Sequence, residues 1–154
     1  MKVKINKIVR YLPGLGLLVV VVGLIIWQQF KAPAVHFRNT PVACIAGHQD
    51  LSQHFHVILT ITVDNVAEII PANVGIISGC MAEVHTHDTT GELHIESGQP
   101  GKTFKLGDFF AVWGKSIERP GYALEMLVNG TPRTNGSDFV LRDDQRIELR
   151  YSKK

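Results

Sequence analysis

The fold turns on Ala82-Glu83-Val84-His85-Thr86-His87-Asp88-Thr89-Thr90-Gly91-Glu92-Leu93-His94-Ile95-Glu96. Polar and apolar residues alternate on both sides of a turn-forming centre. This predicts a β-hairpin with an outgoing strand over 82–87, a turn at 88–91 and a return over 92–96. Whether the loop is the two residues Thr89-Thr90 or the four residues 88–91, His87 falls opposite Glu92 and His85 opposite His94. Directly opposed residues share a sheet face, as do residues two apart on a strand. One face therefore carries His85, His87, Glu92 and His94. The other carries Ala82, Val84, Thr86, Leu93 and Ile95, a set that suits a core. A three-residue loop would bring His94 opposite Thr86 on the apolar face, and the binary pattern opposes that slip.

Opposed Cβ atoms lie about 4.5 to 5.5 Å apart, so three imidazoles and a carboxylate on one face can converge on a single cation. Imidazole suits zinc, copper, nickel and iron. The candidate metal ligands are His85, His87 and His94, with Asp88 or Glu92 as ligand or supporting partner. His54 and His56 form a second same-face pair that either completes the site or is simply exposed. The plainer alternative is a polar outer face that happens to be rich in histidine.

Outward from the hairpin, 55–63 reads as a strand with Val57, Leu59, Ile61 and Val63 on one face. Asp64-Asn65 turns it into a partner over 66–70 that Pro71 ends. Leu106, Phe109, Phe110 and Trp113 fall at i, i+3, i+4 and i+7, which predicts the domain's one substantial helix, and Gly114 stands where a C-terminal cap belongs. Gly107 is an unusual residue for its first turn. Residues 123–128 read as a strand closed by Asn129-Gly130, and 146–151 as the last strand, with Ile147, Leu149 and Tyr151 on one face. The expected class is α+β and mostly β. The element order is similar to that of β-grasp domains, although the chain ends Ser152-Lys153-Lys154 rather than in the Gly-Gly of their sulfur carriers.

Ahead of this domain, residues 11–30 hold no charge and are apolar on every face. About 20 helical residues cross a hydrocarbon core of roughly 30 Å, so a single transmembrane helix is expected. Tyr11 and Trp27 sit at its two ends. Lys2, Lys4, Lys7 and Arg10 precede it, which places a basic tail (1–10) in the cytoplasm and a tether (31–53) and β-rich domain (54–154) on the extracytoplasmic side of the cell membrane. Ala32-Pro33-Ala34 offers the competing reading of a cleaved signal peptide, but the apolar run is longer than the usual 7 to 15 residues.

The chain of 154 residues has 16 basic and 14 acidic side chains, and its first 30 residues contain no acid. The remainder carries 12 basic against 14 acidic residues, which gives no electrostatic case for binding nucleic acid. Cys44 and Cys80 face the oxidising side in this topology, so a disulfide is the default; the alternative makes Cys80 and Met81 soft copper ligands.

Gly79, His85, His87, Glu92 and Gly98 resemble the first cupin motif with its last gap one residue short, which implies a small β-barrel as the alternative fold. The second cupin motif is only hinted at by Gly114, Pro120 and Asn129, and Glu125 occupies its histidine position. A wider resemblance covers His54-Phe55-His56, 70–76, Cys80, His85-Thr86-His87-Asp88, Gly91, His94-Ile95-Glu96-Ser97 and 106–114. These stretches look like an uncharacterised family of small membrane-anchored or exported prokaryotic proteins, marked by an HTHD-G-HIES hairpin and an LG-FF-WG helix. That likeness points to the histidine hairpin as the site without naming its ligand, and Glu92 departs from it, since an aliphatic residue is usual there.

Three functions follow as expectations. The first is a single-pass membrane protein whose exterior domain binds a copper or zinc ion. The second is a metal-free module that presents its hairpin to a membrane-protein partner, with Asp88 bracing the turn. The third is a cupin-like metalloenzyme with Glu92 as ligand or base. No Ser-His-Asp order, phosphate loop or Cys-His pair argues for a metal-free enzyme.

Overall fold

Gln53–Val63 (β2) and Gln145–Lys153 (β10) form the centre of the main sheet, and they run parallel, with Val57 beside Gln145 and Val63 beside Tyr151. The structure is a computed structural model and describes Phe37 and residues 40–154. Every second residue of the central pair (Val57, Leu59, Ile61, Ile147, Leu149 and Tyr151) is at most 2% exposed, so the period-2 pattern assigns one face to the core.

The remaining strands are Cys44–Ile45 (β1), Val66–Glu68 (β3), Ile76–Ile77 (β4), Cys80–Ala82 (β5), Val84–His85 (β6), Glu92–Ser97 (β7), Tyr122–Val128 (β8) and Thr131–Arg133 (β9). The main sheet is ordered β6-β7-β2-β10-β8-β9, with β3 on the far end of β2; a small sheet is ordered β1-β5-β4. Both expected two-residue hairpin turns are present. Asp64 and Asn65 have φ of 48° and 63°, and Asn129 and Gly130 have 49° and 76°, the positive values that match the turn to the strands' right-handed twist.

The predicted helix, α1, spans Leu106–Trp113, and Gly114 caps it in the left-handed conformation at φ 73°. Leu106, Phe109 and Phe110 enter the core, while the Asp108 carboxylate accepts from the Lys105 backbone N–H at 2.7 Å and from Thr40 Oγ1 at 2.8 Å. Gly107 has a packing reason: a Cβ there would lie 2.9 Å from the Ser137 carbonyl oxygen, so only glycine lets the following 3-10 turn approach the helix this closely.

The structure corrects four expectations. The outgoing strand of the histidine hairpin is broken: β5 belongs to the small sheet, and β6 ends at His85. Thr86 is pulled away because its hydroxyl donates to the Pro71 carbonyl at 2.8 Å and accepts from the Val74 N–H at 3.0 Å. His87 consequently lies in a loop and is not laddered to Glu92, whose strand partner is Ile58. The stretch expected as a tether is tied into the domain over its described part, with Val42 fully buried and β1 paired to β5. The cupin-like barrel is absent, because the sheet is open, with β6 at one edge and β9 at the other. Strands of two and three residues, one containing Pro132 without an N–H, cannot close it. The expected tail and membrane span at 1–30 lie outside the described residues; among those described, no helix is long and apolar enough to cross a membrane.

Cys44 and Cys80 are joined in a disulfide, with Cα atoms 5.1 Å apart and a separation of 36 residues. Changing both to Ser is expected to lower the unfolding free energy by about 3 to 4 kcal/mol in the chain-entropy model. Urea denaturation of the two proteins checks this, and equal midpoints would reject it.

Candidate metal centre

Three adjacent strands place one histidine each in a single cross-strand row. His85 on β6 pairs with His94 on β7, and His94 pairs with His56 on β2. Two residues along, on the same face, Glu96 of β7 pairs with His54 of β2. The loop residue His87 comes within 4.6 Å of the His94 ring, measured between centroids, and His48 from the irregular stretch after β1 stands 5.6 Å from His87. All six histidines in the described residues thus gather on one patch. The opposite faces of these strands supply Val84, Leu93, Ile95 and Val57 to the core, each at most 1% exposed.

Two trios bring ligand nitrogens within 4.8 Å of one another, His85-His87-His94 and His54-His56-His94. Within each, one pair is closer still: Nε2 of His85 lies 3.1 Å from Nε2 of His87, and Nε2 of His54 lies 3.1 Å from Nε2 of His56. With metal–nitrogen bonds of about 2.0 to 2.1 Å, two ligands of one ion stand about 2.9 Å apart at a right angle and about 3.4 Å apart at the tetrahedral angle. Both pairs fall inside that interval.

His85 has no exposed surface, and its Nδ1 lies 2.8 Å from the Ala82 carbonyl. A carbonyl only accepts, so Nδ1 carries the hydrogen and the Nε2 lone pair is left facing His87, the orientation a supporting hydrogen bond gives to a metal-ligating imidazole. Burial holds the His85 pKa down, to about 4, so the ring is neutral near pH 7. His94 is also held low, first by burial and then by the neighbouring His87 and His56. Its Nδ1 is buried without a hydrogen-bond partner among the described residues. Neutral rings and one buried, unmatched nitrogen suit a cation better than a network of hydrogen bonds.

The candidate carboxylates behave differently. Asp88 is exposed and accepts hydrogen bonds from the backbone and the hydroxyl of Thr90, which lower its pKa and brace the 86–91 turn. Glu92 is partly exposed, with one oxygen 3.3 Å from Nε2 of His94. The fully buried carboxylate is Glu96, whose oxygens lie 2.9 and 3.0 Å from Nδ1 of His48, while Oε1 is 3.2 Å from Nε2 of His54. Glu96 and His48 were not among the sequence-predicted ligands. The alternation of Glu92, His94 and Glu96 on one strand face could have revealed the first; nothing local marks His48, which sits in an irregular stretch. Both cysteines are used in the disulfide.

Comparisons of the chain with family models, curated proteins and solved structures find no match. The function is therefore argued from the chemistry of this face.

The buried, neutral His85 has a pH consequence. Well above pH 6.5 both folded and unfolded forms are uncharged at this ring. As the pH falls toward 4, only the unfolded chain takes up the proton, so stability is lost with acidification, by about 2 kcal/mol at pH 5 and about 3 kcal/mol below pH 4. Urea unfolding of chelator-treated protein at pH 7.5 and pH 5 measures this, and His85→Gln is expected to flatten most of the difference. An equal loss in the variant would assign the effect elsewhere.

Proposed function

We propose that this is a membrane-anchored protein whose exterior domain binds one transition-metal ion, zinc or copper(II), through His85, His87 and His94. The observation that carries this reading is the facing pair of ring nitrogens at 3.1 Å, one fixed as a lone-pair donor by Ala82, with a nitrogen of His94 within 4.8 Å of both. An all-imidazole set with carboxylates nearby suits zinc and copper(II) better than the thiolate-seeking ions, and the disulfide removes both thiols from competition. Glu92 is placed to act as a fourth ligand or to accept from His94, and Asp88 acts by shaping the loop that carries His87.

The wider reading keeps the domain outside the cell membrane, handling metal there. The charge partition of the N-terminal 30 residues and the disulfide support that location. The strand order supports a β-grasp-like description, since the long strands β2 and β10 lie parallel at the centre, β2 with its hairpin partner β3 and β10 with the antiparallel β8 on its other side. Membership of the uncharacterised membrane-anchored family rests on the HTHD-G-HIES and LG-FF-WG stretches.

The test is titration of the detergent-purified full chain with zinc and copper(II), followed by metal analysis after removal of free ion. Stoichiometric binding that disappears when His85, His87 and His94 are all changed to Ala is expected. Absence of binding, or binding indifferent to those changes, would sink the proposal and leave a metal-free docking face as the better description.

A further inference from the structure

We propose that the histidine face offers two alternative positions for a single ion, an inner one at His85-His87-His94 and an outer one at His54-His56-His94, and that the ion passes between them through His94. This rests on the metal-binding reading above and adds a route to it. The shared member is the first argument. The rings of His85, His87, His54 and His56 have centroids 5.4, 4.6, 6.1 and 4.5 Å from that of His94, so one imidazole stands between two close nitrogen pairs. Each pair is set at a spacing that an ion can bridge.

The burial of His85 sets where the route ends. Each trio has one exposed histidine, His54 in the outer and His87 in the inner, whereas His56 is half-buried and His85 fully buried. An ion entering at His54 therefore moves toward the position where the enclosed His85 shields it best. The charge balance limits the centre to one ion at a time. Among the described residues Glu96 is the one fully buried carboxylate on this face, and it pairs with histidines rather than with Lys or Arg. Two divalent ions a few ångströms apart would repel strongly in a partly desolvated site, and Glu96 with the partly exposed Glu92 does not offset their four positive charges. Glu96 instead attracts an incoming cation toward the outer pair through its 3.2 Å contact with His54.

The experiment uses zinc and the full chain in detergent, measuring ions bound per chain, affinity by chelator competition, and the rate at which excess EDTA strips bound zinc. One ion per chain is expected. His54→Ala with His56→Ala should keep that ion at near-unchanged affinity but slow its exchange at least tenfold. His85→Ala with His87→Ala should still bind one ion, weakened at least tenfold, on the outer position. If zinc does not bind the unaltered chain, the metal-binding proposal itself falls. If it binds but the His54/His56 variant exchanges at the original rate, or the His85/His87 variant binds nothing while remaining folded by circular dichroism, the outer position is rejected and the inner site stands. Two ions per chain would also overturn the single-ion route.

Discussion

Replacing His94 with Ala is expected to weaken zinc binding by about 100- to 1,000-fold, more than any other single histidine change. Losing a group that only supports a ligand costs about 10- to 100-fold, and His94 is itself a ligand candidate. It is also the one residue present in both trios, so its removal leaves either position with two imidazoles. His85→Ala or His87→Ala should cost less, because the ion can fall back on His54, His56 and His94. The variant is expected to fold, since His94 retains some exposure and its Nδ1 makes no hydrogen bond that the change would break. Chelator competition checks the order of effects. Equal losses for all three single variants would argue for one indivisible inner site.

Gly91→Ala is expected to destabilise the fold by about 3 kcal/mol or more, which places it among the costly single substitutions. Gly91 has φ of +83°, where a side chain is strained, and a Cβ there would lie 2.3 Å from the Leu59 carbonyl oxygen. Backbone cannot yield as the end of a flexible side chain can. The Gly91 carbonyl also accepts the Leu59 N–H at 2.8 Å, so relieving the clash would pull the start of β7 from β2 and disturb the spacing of His94 and His56. Metal affinity should fall together with stability. Gly101→Ala is the control: its φ of +71° carries strain, but nothing lies within 4 Å of the added atom, so about 1 kcal/mol is expected. Similar urea midpoints for the two variants would show that the close approach to Leu59 does not matter.

Much of this was readable locally. The alternation in Val84-His85 and Leu93-His94-Ile95 placed His85 opposite His94 and turned the apolar partners inward, as found. The Leu106, Phe109, Phe110 and Trp113 stripe and the Asn129-Gly130 turn likewise appear where expected. These features depend on residues a few positions apart, and the 2.0 and 3.6 periods report directly on such neighbours. The same logic misled at Thr86, where alternation predicted continued pairing. The side chain and backbone of Thr86 instead bond to Pro71 and Val74, and no local pattern records that capture.

The site shows the division most clearly. The sequence by itself determined that His85 and His94 share a face, that the opposite face is core, and that His54 and His56 form a same-face pair. Only the tertiary structure decided that β2 lies against β7, which brings His56 beside His94 and His54 beside the buried Glu96. It also decided that His48 reaches Glu96 from 48 residues away and that His85 is wholly enclosed. Strand neighbourhood and burial depend on which distant segments pack together, and hydrophobic periodicity along one strand carries no information about which strand lies beside it.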